Sequence, residues 1–220
     1  MATITQALKK VSFALTKPIV KIVGGKKVTI SQDEAARVPP GQFATDRFST
    51  LHHETASEMP TQWDIDNWTL TVDGDVEHPL QLTLAELKKL PNTTITSDFH
   101  CVTSWTRLDN QWRGVKVKDI LALAMPKSGF VTQTAFSGHT TSTPINDLTD
   151  DHVLIAWEQE GKPLAPEHGA PLRIVLPKKY AYKGVKWLKK LTVTSREELG
   201  FWEVRGYSQT ADPWQNDRYS

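Results

Sequence analysis

Short stretches in which apolar and polar residues alternate, each closed by glycine, proline or a capping side chain, constrain this fold more than any other feature. WTLTVDGDV places Trp68, Leu70 and Val72 on one face of a strand, with Asp73-Gly74 as a turn or bulge. TLAELKKLP is a short helix: Thr83 and Glu86 form a capping box, Leu84, Leu87 and Leu90 an apolar face, and Pro91 the stop. TTITSDF is a strand running into Cys101, and VKDILALAMPKSG is a second short helix. Further strands fall around TQTAF, HVLIAWEQEGKPL (a hairpin signal at Gly161), APLRIVLP and VKWLKKLTVTS. Strands outnumber helices, and the helices are short and local. The pattern predicts an α+β fold with a mixed β-sheet, not a doubly wound α/β fold.

At 220 residues the chain can bury a core without staples. Its single cysteine, Cys101, excludes an internal disulfide framework and any Cys₂ or Cys₄ zinc site. Lys and Arg number 26 against 25 Asp and Glu, so charge gives no case for a nucleic-acid partner. The longest apolar run, residues 120–125, is far short of the roughly 20 residues a spanning helix needs, so no transmembrane segment is expected. The N-terminus lacks a signal-peptide core, which points to a cytoplasmic location, or a periplasmic one if a signal peptide has been removed. Residues 1–36 are expected to form an N-terminal amphipathic appendage: Ile4, Leu8, Val11 and Leu15 fall at helical spacing beside Lys9, Lys10 and Lys17, and Pro18 ends the pattern. That stripe either packs on its own domain or docks on a membrane surface or partner. RVPPGQ, residues 37–42, is a proline-stiffened linker into a single catalytic domain spanning residues 37–220. From there to Met59 the chain is irregular and carries His52-His53.

Cys101 lies in DFHCVTSW, just past a strand. A nucleophile wants a paired base; His100, adjacent in a strand, points to the opposite face. A thiolate that holds a soft metal needs no such base, and a free cysteine is also a small buried hydrophobe in many cores. The seven histidines show no HExxH and no zinc-ligand spacing, and phosphate-binding glycine loops are absent. Residues 168–190, HGAPLRIVLPKKYAYKGVKWLKK, place Arg173 in a strand and then six lysines without an acid. The backbone of Gly184-Val185-Lys186, with the Lys186 charge, suits an anion. The plainer alternative is a solvated basic face balanced by NDLTDDHVLIAWEQE.

VPPGQ, HCVTSW…W.GV, HGAPLRIVLPKKYAYKGVKWL and the tail GFWEVRGYSQTADPW, in this order, resemble the sulfite oxidase family of molybdopterin enzymes over residues 38–214. Within it the chain is similar to short bacterial members related to the catalytic subunit of the methionine-sulfoxide reductase system. The resemblance implies a sulfite-oxidase-type molybdopterin-binding fold and a molybdenum–molybdopterin cofactor. It places Cys101 at the molybdenum ligand; His52, His168, Arg173, Gly184, Val185 and Lys186 at the pterin and its phosphate; and Tyr207 near the transferring oxygen. Arg107, His139 and Thr140 are further candidates for the substrate pocket. The implied activity is two-electron oxygen-atom transfer on sulfite, a sulfoxide or a similar small oxo substrate. An external electron donor or acceptor protein is then required, because no second redox centre is encoded. The cofactor would carry the chemistry while the protein orients it and excludes water. Two rivals stand beside it: a cofactor-free binding module that kept the fold, and a cysteine-nucleophile hydrolase.

Overall fold

A computed structural model describes residues 19–23 and 26–220; the helical stripe expected over residues 4–15 lies outside the described residues. β1 (Ile19–Val23) and β2 (Lys26–Ile30) pair antiparallel, and a short helix α1 (Gln32–Ala36) follows, capped by Ser31. The remaining strands form two sheets. One holds β3 (Phe43–Ala44), β6 (Thr93–His100), β7 (Trp105–Lys116), β10 (Leu154–Gln159), β11 (Lys162–Pro163) and β12 (Arg173–Val175). The other runs β5-β4-β13-β8-β9, with β4 Thr69–Gly74, β5 Leu80–Thr83, β8 Phe130–Ala135, β9 Thr140–Pro144 and β13 Leu188–Thr194. β13 pairs parallel with β4 and antiparallel with β8, and β3 pairs parallel with β7, so both sheets are mixed.

The local reasons are those of the sequence. Trp68, Leu70 and Val72 are all buried on the alternating face of β4. α3 (Leu84–Lys89) follows a second short helix, α2 (Gln62–Asp66). At its N-terminus the Glu86 N–H donates to Thr83 Oγ1 (3.2 Å), and the Thr83 N–H donates to Glu86 Oε2 (2.9 Å). The hairpin at Gly161 forms, with both Glu160 and Gly161 at positive φ, as a tight two-residue turn demands. α4 (Val117–Ala124) buries Val117, Ile120, Leu121 and Ala124 against Leu70, Val72, Leu188 and Leu191 of one sheet and Ile155 and Ile174 of the other. α5 (Ile145–Leu148) closes β9. This one core fixes both sheets, and the functional surface is built from their edges.

β7 is the spine: β6 flanks it along its length, β10 pairs with its C-terminal end and β3 with its start. Where β7 and β10 meet, the backbones approach closely. A Cβ on Gly114 would sit 2.1 Å from the Ile155 carbonyl oxygen and 2.8 Å from Ala156 Cα. Gly114→Ala is therefore expected to cost about 1–3 kcal/mol, as overpacking does, lowering Tm by about 2–4 °C per kcal/mol in a chain of this size. Calorimetry checks this; an unchanged Tm would mean that β10 moves aside freely.

Candidate active site

One cavity, of about 300 Å³, gathers most of the predicted site residues. Cys101, His52, His168, Arg173, Gly184, Val185, Lys186, His139 and Tyr207 all line it. They come from five places: the irregular stretch 48–54, the β6–β7 turn, the β8–β9 turn, the strand and turn of residues 168–186, and the C-terminal tail. Arg107 and Thr140 are not brought to it. Arg107 lies behind the wall residue Phe48, where Glu160 (3.0 Å), Asn110 and the Asp46 carbonyl take its guanidinium. Thr140 pairs with Thr134 in the β8–β9 ladder, and its carbonyl accepts the Phe201 N–H.

Cys101 follows the last residue of β6 in a tight turn whose Ser104 adopts φ +77°. The Cys101 N–H donates to the Trp105 carbonyl, and Arg218 donates to the Val102 carbonyl (2.7 Å) and Ser104 Oγ (2.5 Å), which pins the turn. Cys101 is buried, 7% exposed, and the hydrogen-bond partner of its sulfur is Thr103 Oγ1 at 3.1 Å. Burial pushes the thiol pKa up, so the metal-free thiol stays protonated at neutral pH. His100 points the other way, as β geometry requires, with Nδ1 2.9 Å from Thr106 Oγ1 and burial lowering its pKa to about 4. No Cys101–His100 dyad forms. These are the marks of an unactivated thiol and not of a nucleophile.

On the cavity's cationic side, Arg173 is 3% exposed; its Nη1 donates to the His168 carbonyl, while the buried Nε has no partner. Its charge lies over the rings of Phe99 and Trp112 and faces no carboxylate among the described residues, so burial drops its pKa to about 10. Lys186 Nζ donates only to the Leu51 and Glu167 carbonyls. Burial, reinforced by Arg173, lowers its pKa to about 8. Gly169 makes room for this lysine: at φ +106°, a Cβ would meet Lys186 Cβ at 2.9 Å. Arg173, buried, and Lys186, half-buried, neither with an ion pair among the described residues, form an anion receptor.

The rest of the expected cradle differs. The Gly184 N–H already donates to Ala181 O and the Val185 N–H to Gln133 Oε1, so these two residues supply wall and not donors. The lysine run divides too: Lys178 pairs with Asp150 and Lys179 with Asp147, which fits a solvated face, while Lys183 is buried against Glu203. Of the eight tryptophans, Trp105 and Trp202 face the cavity, whereas Trp68, Trp112 and Trp187 are fully buried elsewhere. Sequence reasoning missed Tyr182, Trp202 and Glu54, and did not bring His53 and His139 together with Glu54, though the donor atoms of these three lie within 4.8 Å of one another. Eighty-six positions separate the two histidines, so no spacing rule reaches them.

A single cysteine beside two uncompensated cations in a cavity of this size suits a soft metal carried on a phosphorylated organic ligand. Comparison with known proteins gives the same answer. Residues 56–202 match the family described as "Oxidoreductase molybdopterin binding domain". The chain is 41% identical over 194 residues to an uncharacterized oxidoreductase, YuiH, of Bacillus subtilis (strain 168), covering 87% of this chain and 96% of that one. It is 27% identical to the protein-methionine-sulfoxide reductase catalytic subunit MsrP of Campylobacter jejuni, over 80% of this chain and 64% of the relative. The crystal structure of the sulfane dehydrogenase SoxCD from Paracoccus pantotrophus superposes with a TM-score of 0.55 at 26% identity, over 60% of this chain and 39% of that one. This chain thus spans less than two thirds of the latter two proteins.

Proposed function

The chain belongs to the oxidoreductase molybdopterin-binding domain family, of the sulfite oxidase type its motifs resemble, and on that premise we propose that it reduces a neutral sulfoxide, with Cys101 as the protein ligand to molybdenum. The observation that carries this reading is the pairing, in one cavity, of the lone thiol with two cations among the described residues, Arg173 and Lys186. When bound, the cofactor supplies a molybdenum centre that moves between oxidation states two electrons apart. Everything else falls to the chain. Arg173 and Lys186 hold the pterin phosphate, both donating charge-assisted hydrogen bonds. His52 and His168 contact the pterin, with His168 kept neutral by burial and by Arg173 beside it. Gly184 and Val185 close the wall. Tyr207 donates its O–H to the substrate oxygen; burial raises its pKa, so the donor proton stays in place at neutral pH.

The charge count decides the substrate class. With the phosphate neutralising Arg173 and Lys186, the described residues leave no free cation on the wall for sulfite or another oxyanion, and Arg107 is spent on Glu160. What adjoins Tyr207 is aromatic, Tyr182 and Trp202; elsewhere on the wall His139 is neutral, its pKa lowered by burial to about 4, and the Glu54 carboxylate disfavours an oxyanion. A sulfoxide's polarised but uncharged S–O group suits that wall. The net reaction takes two electrons from an external donor protein and two protons, and yields the sulfide and water.

The test joins metal analysis to assay. Protein from a host that makes the cofactor should carry near-stoichiometric molybdenum and pterin. Arg173→Leu or Lys186→Met should lower retention by at least about tenfold, the range seen when supporting contacts of a metal site are lost. Retention in wild type should also weaken as pH rises through about 8, where Lys186 loses its charge in the free site, and Lys186→Met should abolish that dependence. Methionine sulfoxide should be reduced with a viologen donor. Turnover of sulfite in preference would overturn the substrate assignment, and absence of molybdenum and pterin would overturn the whole reading.

A further inference from the structure

We propose that His53, Glu54 and His139 form a second metal site, for one divalent ion of the zinc type, on the cavity wall and separate from Cys101. The donor atoms converge from two segments. His53 Nε2 lies 2.8 Å from His139 Nδ1 and 3.6 Å from Glu54 Oε1, and all three lie within 4.8 Å of one another. An ion bound at about 2.0–2.2 Å from each needs donors about 3.3 Å apart; the two His53 distances stand within about 0.5 Å of that, and Glu54 and His139 would close by at most about 1.5 Å. At present the two imidazoles share a hydrogen bond; moving that proton to the far nitrogen of its ring frees both lone pairs.

The surroundings hold the donors in place. Ser137 donates to Glu54 Oε1 (3.2 Å) and its Oγ accepts the His139 N–H (3.4 Å), so one hydroxyl ties two donors together. Glu54 Oε2 accepts the His53 N–H (3.2 Å). Phe201 stacks on His53 at 3.8 Å between ring centroids and packs beside His139 at 5.1 Å.

A further observation points to a cation. The Glu54 side chain is 6% exposed, and among the described residues no lysine or arginine lies within ion-pair distance of it; its only such neighbour is His53. The charge of Lys186 reaches Glu54 only from beyond ion-pair distance, and a divalent ion on Oε1 would balance the buried carboxylate directly. Burial keeps His139 neutral at pH 7, the form that ligates. Two imidazoles with one carboxylate do not meet the all-oxygen preference of magnesium and calcium and suit zinc. The half-exposed His53 ring gives the entry path. Occupancy would cross-link the irregular stretch 49–55 to the β8–β9 turn.

The test uses chelator-treated, cofactor-loaded protein and zinc chloride itself. Calorimetric titration should show one site. Glu54→Gln, His139→Gln and the more exposed His53→Gln should each weaken it by more than about tenfold, while Cys101→Ser, titrated beside cofactor-free wild type, leaves it intact. Zinc should slow amide exchange over residues 49–55 in wild type. Cobalt(II) in the same site should give d–d bands without thiolate charge transfer. Unchanged affinity in all three variants, or a cobalt spectrum with a thiolate band that vanishes in Cys101→Ser, would overturn the proposal.

Discussion

Cys101→Ser is expected to abolish turnover while leaving the fold intact. Supporting contacts around a bound metal cost about 10–100-fold when lost, so removing the ligand itself should cost more. Serine is close to cysteine in size, and the buried turn at 101–105 is held by its backbone and by Arg218, not by the sulfur. Thermal unfolding of the cofactor-free variant should therefore match that of the cofactor-free wild type within about 0.5 kcal/mol, as for changes that touch no packing or network. Molybdenum content of the variant should fall sharply, since an alcohol does not ligate a soft metal as a thiolate does. The same variant separates the rivals. A cofactor-free binding module predicts unchanged ligand binding. A cysteine hydrolase predicts ready alkylation of Cys101 in the wild type at neutral pH, and the raised thiol pKa argues for slow alkylation even without metal. Full activity in Cys101→Ser would remove the thiolate from the mechanism.

The parts of this molecule that local chemistry dictates were legible in the sequence. The capping box at Thr83 and Glu86, the buried face of β4 and the hairpin at Gly161 each rest on neighbouring residues, and each forms as expected. β7 was not read as a strand, although it is the longest. It carries Thr106 and Asn110 buried on partners that sequence does not reveal, and it kinks at Asp109, φ +55°, which breaks the alternation. The same limit applies at the cavity. Arg173 and Lys186 were found because their motif is contiguous and their chemistry is charge. Arg107 and Thr140 lie close in sequence to true cavity residues yet are engaged elsewhere: Thr140 is taken up by the β8–β9 ladder, and Arg107, on the same face of β7 as Trp105, is drawn off by Glu160 and Asn110. The His53–His139 contact needs the whole fold, since β8 and β9 must first bring their turn over the irregular stretch.

Glu203→Leu is expected to be the most destabilising single change in the site's support, at about 3–5 kcal/mol, the usual result of leaving one member of a buried ion pair uncompensated. Lys183 and Glu203 have side chains only 1% exposed and meet at 2.7 Å. Lys183 Nζ also donates to the Ser142 carbonyl (2.5 Å), and Glu203 Oε1 accepts from Thr141 Oγ1 (2.5 Å). The pair thus joins three parts of the chain: β9, the turn at 181–183 that leads into Gly184, Val185 and Lys186, and the C-terminal turn that carries Trp202 and Tyr207. Gln133 holds the same turn from β8, accepting the Val185 N–H and donating to the Lys183 carbonyl. The variant should lower Tm by about 2–4 °C for each kcal/mol lost and should lose molybdenum along with stability, because the lysine cradle and the tyrosine wall hang from this one contact. Lys183→Met combined with Glu203→Leu tests the cause. An apolar pair of similar volume should recover most of the stability, since the penalty lies in the orphaned charge and not in the lost attraction. Chemical denaturation of the two variants beside wild type separates the cases. A Glu203→Leu protein within about 1 kcal/mol of wild type, at the level of ordinary substitutions, would show that the charge is not confined there, and that the cavity owes its shape to Gln133 and the core alone.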